Sequence, residues 1–208
     1  MKPALLTYLH EVIIPRYKAY DAAHQPDHVE TIIKNAMAIA KDLPVDLEMV
    51  YVIAAYHDIG MQHGRETHHL TGARILMEDT VLDQWFDKAQ KQIMKEAVED
   101  HRASQENPPR SLYGAIIAEA DRDLDPDTVI RRTVQFGLSH YPDLTFEEHY
   151  RRLVEHVKTK YGHDGYLKLW LDTDLNRQRL SDIRALLVRH RQMKAKVRHY
   201  YETFSKKV

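Results

Sequence analysis

An imidazole and a carboxylate stand side by side at the end of a long apolar stretch. His57 and Asp58 follow residues 50–56, which read Val-Tyr-Val-Ile-Ala-Ala-Tyr, and they precede Ile59 and Gly60. A helix of that composition is buried, and burying two polar groups there costs several kcal/mol unless they are paired or bound to a metal. The pair therefore predicts a metal site inside the fold.

The absence of cysteine limits how such a metal can be held. The 208 residues include no Cys, so disulfides and thiolate ligands are excluded and the ligands must be His, Asp or Glu. That donor set suits divalent Fe, Mn, Ni, Zn or Mg. With 30 Lys and Arg residues against 31 Asp and Glu residues, the net charge of −1 gives no overall field for nucleic acid or a membrane surface. We therefore expect a small-molecule substrate as the partner, with no nucleic acid and no membrane.

The hydrophobic pattern predicts an all-α fold. Apolar residues recur at a spacing near 3.6, as in Val29, Ile32, Ile33 and Ala36, and no segment shows convincing strand alternation. Residues 1–208 are expected to form a single domain with a metal-site core over about 20–125 and a helical extension over about 126–208. Helices are predicted over 26–40, 47–57, 70–78, 88–102, 111–122, 126–138, 145–160 and 175–204.

The amino terminus has no signal-peptide core. Tyr8, His10 and Glu11 interrupt the only apolar run there, and no long uncharged span follows later in the chain. This pattern favours a soluble protein of the cytoplasm. The oligomeric state is not encoded in any pattern of the sequence.

Four other potential ligands share the position of His57 and Asp58 at the edge of an apolar helical stripe. His28 opens the predicted helix over 26–40, and His68 precedes an apolar run that contains Gly72. His101 and Asp121 each end such a stripe. Taken singly, a histidine at a helix end is more often a cap that suits the helix dipole, so the significance lies in the ordered set.

The ordered set resembles the HD superfamily of metal-dependent phosphohydrolases, which is named after the adjacent His-Asp pair. The resemblance covers about residues 20–125 and leaves out the last third of the chain. Five segments are similar to the motif blocks of the family: His28-Val29-Glu30-Thr31-Ile32, Tyr56-His57-Asp58-Ile59-Gly60, His68-His69-Leu70-Thr71-Gly72-Ala73, Asp100-His101-Arg102-Ala103-Ser104 and Glu119-Ala120-Asp121-Arg122.

The resemblance implies an HD-domain helical bundle that holds two divalent metal ions. One ion would be bound by His28, His57, Asp58 and Asp121, and the second by His68 and His101, with Asp58 bridging the two. Two such ions roughly 3.5–4 Å apart can turn a bridging water into hydroxide near neutral pH and hold the oxygens of a phosphoryl group. Asp58 is then the central catalytic residue, and no separate nucleophile is needed.

Neighbouring residues offer alternatives for two of the ligands. His69 could replace His68, which we prefer because the ligand of the family stands four residues before a small residue, here Gly72. His24 lies near His28, which has the better register. Three carboxylates are expected to cap helices or to orient the imidazole rings: Asp27, Asp100 and Asp123.

A phosphorylated substrate also requires cationic donors. Arginine forks match phosphate oxygens in a bidentate manner, although surface salt bridges are an equally simple role for each candidate. The candidate substrate-binding residues are Arg65, Arg102, Arg110 and Arg122. Glu66 lies eight residues after Asp58, where some single-metal nucleotidases of the superfamily carry a catalytic acid.

Departures from the family patterns narrow the range of expected substrates. Met61 and Gln62 stand where guanosine tetraphosphate hydrolases have an acidic pair, and His101 lacks the adjacent histidine and downstream Gly-Tyr-Pro of one group of cyclic-di-GMP phosphodiesterases. Hydrolases of symmetric dinucleoside tetraphosphates share the six-ligand order. We therefore expect hydrolysis of a phosphomonoester, a nucleotide or a dinucleotide. The alternatives are an HD-fold di-iron oxygenase, such as myo-inositol oxygenase, and a non-catalytic binding module with structural metals.

Overall fold

The computed structural model describes residues 1–20, 25–102, 107–122 and 124–205. Across these ranges the protein is helical and contains no strand, which confirms the all-α prediction. The chain divides into two compact units, Met1–Arg122 and Asp123–Val208, which we describe separately. The expectation of one domain over 1–208 stays a prediction. Within the described ranges, none of the helices combines the length and apolarity that crossing a bilayer requires.

The first unit is built from six α-helices in its described part. These are α1 (Pro3–Tyr8), α2 (Pro26–Ala40), α3 (Leu47–Tyr56), α4 (His68–Glu78), α5 (Lys88–Asp100) and α6 (Leu112–Asp121). A π-helical turn and three 3-10 turns lie between them and cover Leu9–Ile13, Ile14–Ala19, Ile59–His63 and Thr80–Gln84.

Helix α3 lies at the centre of the first unit. Residues 49–56 are all buried, because α2, α5 and α6 pack around the helix. Its start is capped by the Asp46 carboxylate, which accepts from the backbone N–H groups of Glu48 and Met49. A helix that is apolar on all sides is stable only inside a core. The chain therefore delivers His57 and Asp58, which follow α3, into the interior.

A close backbone contact joins the end of α3 to the start of α4. A Cβ atom on Gly60 would overlap the carbonyl oxygen of His68 and lie 2.5 Å from the backbone nitrogen of Gly72. A Cβ on Gly72 would lie 3.3 Å from both the Gly60 nitrogen and the Tyr56 carbonyl oxygen. Because both neighbours are backbone atoms, a side chain at Gly60 would have to push the two segments apart.

The helical segment before residue 20 was not among the predicted helices. Leu5, Leu9, Ile13 and Tyr17 recur at a spacing of four and are all buried. The spacing is helical, but Pro15 lacks the N–H that a regular ladder needs, and the segment passes from α1 through a π-helical turn into a 3-10 turn. A short stripe interrupted by proline gives a weak helical pattern.

The second unit contains four α-helices in its described part. These are α7 (Pro126–His140), α8 (Phe146–Tyr161), α9 (Asp174–Val188) and α10 (His190–Ser205). Their core includes Ile130, Leu153, Ile183 and Val197. The prediction of one helix over 175–204 is wrong, because Arg189 has φ −87° and ψ 63° and separates α9 from α10. No glycine or proline marks this break, and α10 turns back to pack against α7, α8 and α9.

His149 in α8 is buried without a hydrogen-bond partner on either ring nitrogen. It lies against Gly137 of α7, where an added Cβ would be 2.8 Å from His149 Nδ1 and 2.5 Å from Arg152 Nη2. Burial and the charge of Arg152 lower the pKa of His149, and the opposing charge of Glu148 is a smaller influence. The folded unit therefore holds this histidine neutral.

The Gly60 contact predicts a graded response to added methyl groups. Replacing Gly60 by Ala should lower the free energy of unfolding by about 3 kcal/mol or more, because backbone must move. The matched change Gly72→Ala should cost only about 1 kcal/mol, since its contacts are tight without overlap. Urea unfolding of both variants measures the difference, and equal losses would contradict the packing described above.

The neutral state of His149 predicts a loss of stability in mild acid. The unfolded chain binds a proton at this histidine below a pH of about 6.5, whereas the folded state binds it only at lower pH, because its pKa is lowered. Stability therefore falls as the pH drops from about 6.5 toward the folded pKa, with a slope of at most about 1.4 kcal/mol per pH unit. Denaturant unfolding of wild type and His149→Leu between about pH 5 and 8 tests this, and the variant should show the shallower decline. Parallel curves would disprove the prediction.

Candidate metal centre

All six predicted ligands lie at the ends of helices of the first unit. His28 is in the first turn of α2, and His68 is the first residue of α4. His57 and His101 directly follow α3 and α5, and Asp121 is the last residue of α6. Asp58 directly precedes the 3-10 turn Ile59–His63. The helix ends converge, so that residues up to 93 positions apart in the sequence become neighbours.

The first group of ligand atoms contains two imidazoles and one carboxylate oxygen. The Nε2 atoms of His28 and His57 are 3.3 Å apart. They lie 3.5 Å and 3.2 Å from Oδ2 of Asp58. Asp121 adds its Oδ1 atom at 3.5 Å from His28 Nε2, and its side chain is partly exposed. Asp121 thus stands beside His28, next to the compact group formed by the His28, His57 and Asp58 atoms.

The second group uses the other oxygen of the same carboxylate. Oδ1 of Asp58 lies 3.3 Å from His68 Nε2 and 3.4 Å from His101 Nε2. The two Nε2 atoms are 3.1 Å apart. Asp58 is therefore shared between two groups of ligand atoms, one oxygen to each.

The imidazole rings are oriented by backbone carbonyls three residues earlier. Nδ1 of His57 lies 2.7 Å from the Ala54 oxygen, Nδ1 of His68 lies 2.6 Å from the Arg65 oxygen, and Nδ1 of His101 lies 2.6 Å from the Val98 oxygen. A carbonyl oxygen can only accept, so each Nδ1 carries the proton. In the neutral ring the Nε2 lone pair then points into the cluster, as a metal ligand requires.

The spacing of these donors fits divalent cations. Ligands about 2.0–2.2 Å from one ion, at angles near those of a tetrahedron or octahedron, are about 3–3.5 Å apart. Within the two groups that share Asp58, the separations run from 3.1 to 3.5 Å. Without a cation, neutral imidazoles would turn lone pairs toward each other and toward a buried carboxylate. A bound cation in each group removes that repulsion.

The electrostatics of the cluster keep the shared carboxylate ionised. Burial would raise the pKa of Asp58, but His57, His101 and His28 hold it well below its usual value. Burial likewise lowers the pKa of His57, but the charge and hydrogen bond of Asp58 outweigh it and raise the pKa to about 9. In the second group, burial and the charge of His101 lower the pKa of His68.

Two tyrosines that the sequence analysis did not single out brace the His-Asp segment. The buried Tyr17 hydroxyl donates to the Ala55 carbonyl at 2.9 Å, and the Tyr20 hydroxyl donates to the Ile59 carbonyl at 2.7 Å. The two rings pack together with centroids 5.1 Å apart. No local pattern indicates these bonds, since each spans almost forty residues of sequence.

The candidate substrate residues lie in two different settings. Arg65 and Glu66 are exposed in the segment before α4, and Arg102 Nη1 donates to the Glu66 carbonyl at 2.9 Å. Arg110 is bound by the Asp100 and Glu99 carboxylates, and the buried Arg122 pairs with Glu119 at 2.6 Å. Arg65, Glu66 and Arg102 lie within three sequence positions of His68 or His101. The proposed roles of Glu66 and of the four arginines stay predictions.

The alternative ligands also have places in the structure. His69 is adjacent to His68, with ring centroids 5.5 Å apart, but it belongs to neither group of ligand atoms. Asp27 lies in the first turn of α2, where its charge suits the helix dipole. Asp100 binds Arg110 rather than an imidazole. His24 and Asp123 lie outside the described residues.

Comparison with known proteins agrees with this geometry. Residues 27–124 match the family model of the HD domain, a stretch that contains all six predicted ligands. Neither the curated proteins nor the solved structures gave a match to the chain. The match and the His/Asp cluster together identify residues 27–124 as an HD domain.

Proposed function

We propose that the protein is a metal-dependent phosphohydrolase with a binuclear site. The observation that carries the proposal is the division of the Asp58 carboxylate, whose Oδ2 joins His28 and His57 and whose Oδ1 joins His68 and His101. A carboxylate that bridges two sets of imidazoles is suited to hold two cations close together. Asp121 would complete the first set.

Each residue of the cluster has a defined task in this proposal. The imidazoles supply neutral nitrogen ligands. The Nδ1 bonds of His57, His68 and His101 to backbone carbonyls fix the direction of their Nε2 lone pairs. The two cations would supply activation of water and neutralisation of phosphoryl charge. Asp58 stays ionised and sets the spacing between the two groups. Fewer protein ligands than each cation can accept leave positions for water and substrate.

The surroundings of the second group support a phosphorylated substrate. Arg102 follows His101 directly, and the carbonyl of Arg65 holds the His68 ring. Both guanidinium groups are therefore attached to the same backbone that places the second pair of imidazoles. Arginine recognises phosphate oxygens in a bidentate manner. We propose a phosphomonoester, nucleotide or dinucleotide as substrate. Glu66, which is exposed and adjacent to Arg65 in the sequence, is the candidate catalytic acid.

The proposed site predicts a definite metal content. Protein purified without added metal should contain about two divalent cations per chain by mass spectrometry. Asp58→Ala should lose both because it removes the shared ligand, and His101→Ala should lose one. One cation in wild type that His101→Ala leaves in place would contradict the binuclear proposal and indicate a site built from His28, His57, Asp58 and Asp121.

The proposed reaction is tested by turnover without oxygen. Protein loaded with Mn²⁺ or Ni²⁺ should hydrolyse an aryl phosphate or a member of a nucleotide panel anaerobically, and Asp58→Ala should reduce the rate by at least about 10²-fold. No turnover of any panel member by the loaded wild type would refute the hydrolase. Substrate-dependent O₂ uptake by iron-loaded protein would instead establish the di-iron oxygenase, which the same ligands can serve.

A further inference from the structure

The position of His101 depends on the last turn of its helix. It lies one residue beyond α5, and its Nδ1 atom bonds the Val98 carbonyl in the last turn of that helix. Both the backbone position of His101 and the hydrogen bond that orients its ring thus depend on the last turn of α5. Helix ends lack part of the hydrogen-bond ladder and open more readily than helix interiors.

A second segment of the chain clamps this terminal turn. The buried Asp100 carboxylate accepts from the Arg110 backbone N–H at 2.8 Å and from Arg110 Nε at 3.0 and 3.1 Å. Arg110 Nη2 lies 2.8 Å from Asp100 Oδ1 and donates to the Glu96 carbonyl at 3.1 Å. It also donates to Glu99 at 2.6 Å. One guanidinium group therefore binds three residues of the last turn of α5.

The clamp is packed as well as bonded. A Cβ on Gly114, in the first turn of α6, would lie 3.2 Å from Asp100 Cβ, 3.3 Å from Asp100 Oδ2 and 3.0 Å from Pro109 Cβ. The carboxylate is thus enclosed between the end of α5 and the start of α6. Asp100 is only 3% exposed, and its charge is compensated by Arg110. Removing the Arg110 guanidinium group leaves the buried Asp100 carboxylate without its ionic partner.

We propose that the Asp100–Arg110 pair is a positioning element for His101. Binding of a cation by the second group of ligands then depends on the bonds between Arg110 and the end of α5. The inference rests on the proposed binuclear site. The pair touches no ligand ring; it acts by keeping the last turn of α5 closed. The first group has no residue on α5, and it should be insensitive to the pair.

The test measures binding of Mn²⁺ by calorimetric titration of metal-free protein. Arg110→Met and Asp100→Asn should weaken the second Mn²⁺ about 10- to 100-fold and leave the first unchanged. Glu99→Gln is the matched control, because it removes a neighbouring carboxylate that binds the same guanidinium group but leaves the Asp100 contacts in place. This control should bind both ions as wild type does.

The outcomes distinguish a positioning role of the Asp100–Arg110 pair from a purely structural role. Two Mn²⁺ ions bound with wild-type affinity by Arg110→Met, even with a lower melting temperature, would show a purely structural pair and overturn the inference alone. Fewer than two ions in wild type would overturn the binuclear site and the inference together. If Arg110→Met does not fold, Arg110→Lys replaces it in the test, because lysine keeps the charge but cannot bind the Asp100 carboxylate with two nitrogens. Unchanged binding of the second ion by Arg110→Lys would also overturn the inference.

Discussion

The structure of the first unit depends on placing one ionised carboxylate in a buried position. Asp58 lies at the end of a helix that is buried on all sides, and the converging imidazoles of His28, His57, His68 and His101 compensate its charge. A carboxylate there would otherwise be strongly destabilising. The packing of α2, α4 and α5 around α3 is therefore also the arrangement that neutralises Asp58.

Much of this arrangement could be predicted from the sequence, because its determinants are local. The 3.6-residue spacing predicts most helices, and the apolar run 50–56 places His57 and Asp58 in the interior. The six candidate ligands stand at the ends of such stripes. The structure brings five of them into two groups of ligand atoms and places Asp121 beside His28. Their roles as ligands, and the roles of the four arginines, remain predictions that only metal and substrate measurements decide.

What could not be predicted depends on contacts between distant segments. The break at Arg189 carries no glycine or proline, and it follows from α10 packing back on its neighbours. Asp100 stands beside His101 in the sequence, so an imidazole was the natural partner to expect. Its actual partner, Arg110, lies 10 positions later in the sequence. Periodicity reports which side of a helix is apolar, but it does not report which chain segment meets a helix end.

The hydrogen bonds of Tyr17 and Tyr20 support the candidate metal centre from outside the segment that matches the family. Tyr17 and Tyr20 hold the carbonyls of Ala55 and Ile59 on either side of the His-Asp pair, yet both precede residue 27, where the HD-domain match begins. The conformation of the central ligands is thus partly specified from outside the recognised boundary. A fragment cut to the family limits would keep every proposed ligand and lose two of the bonds that hold the backbone around His57 and Asp58.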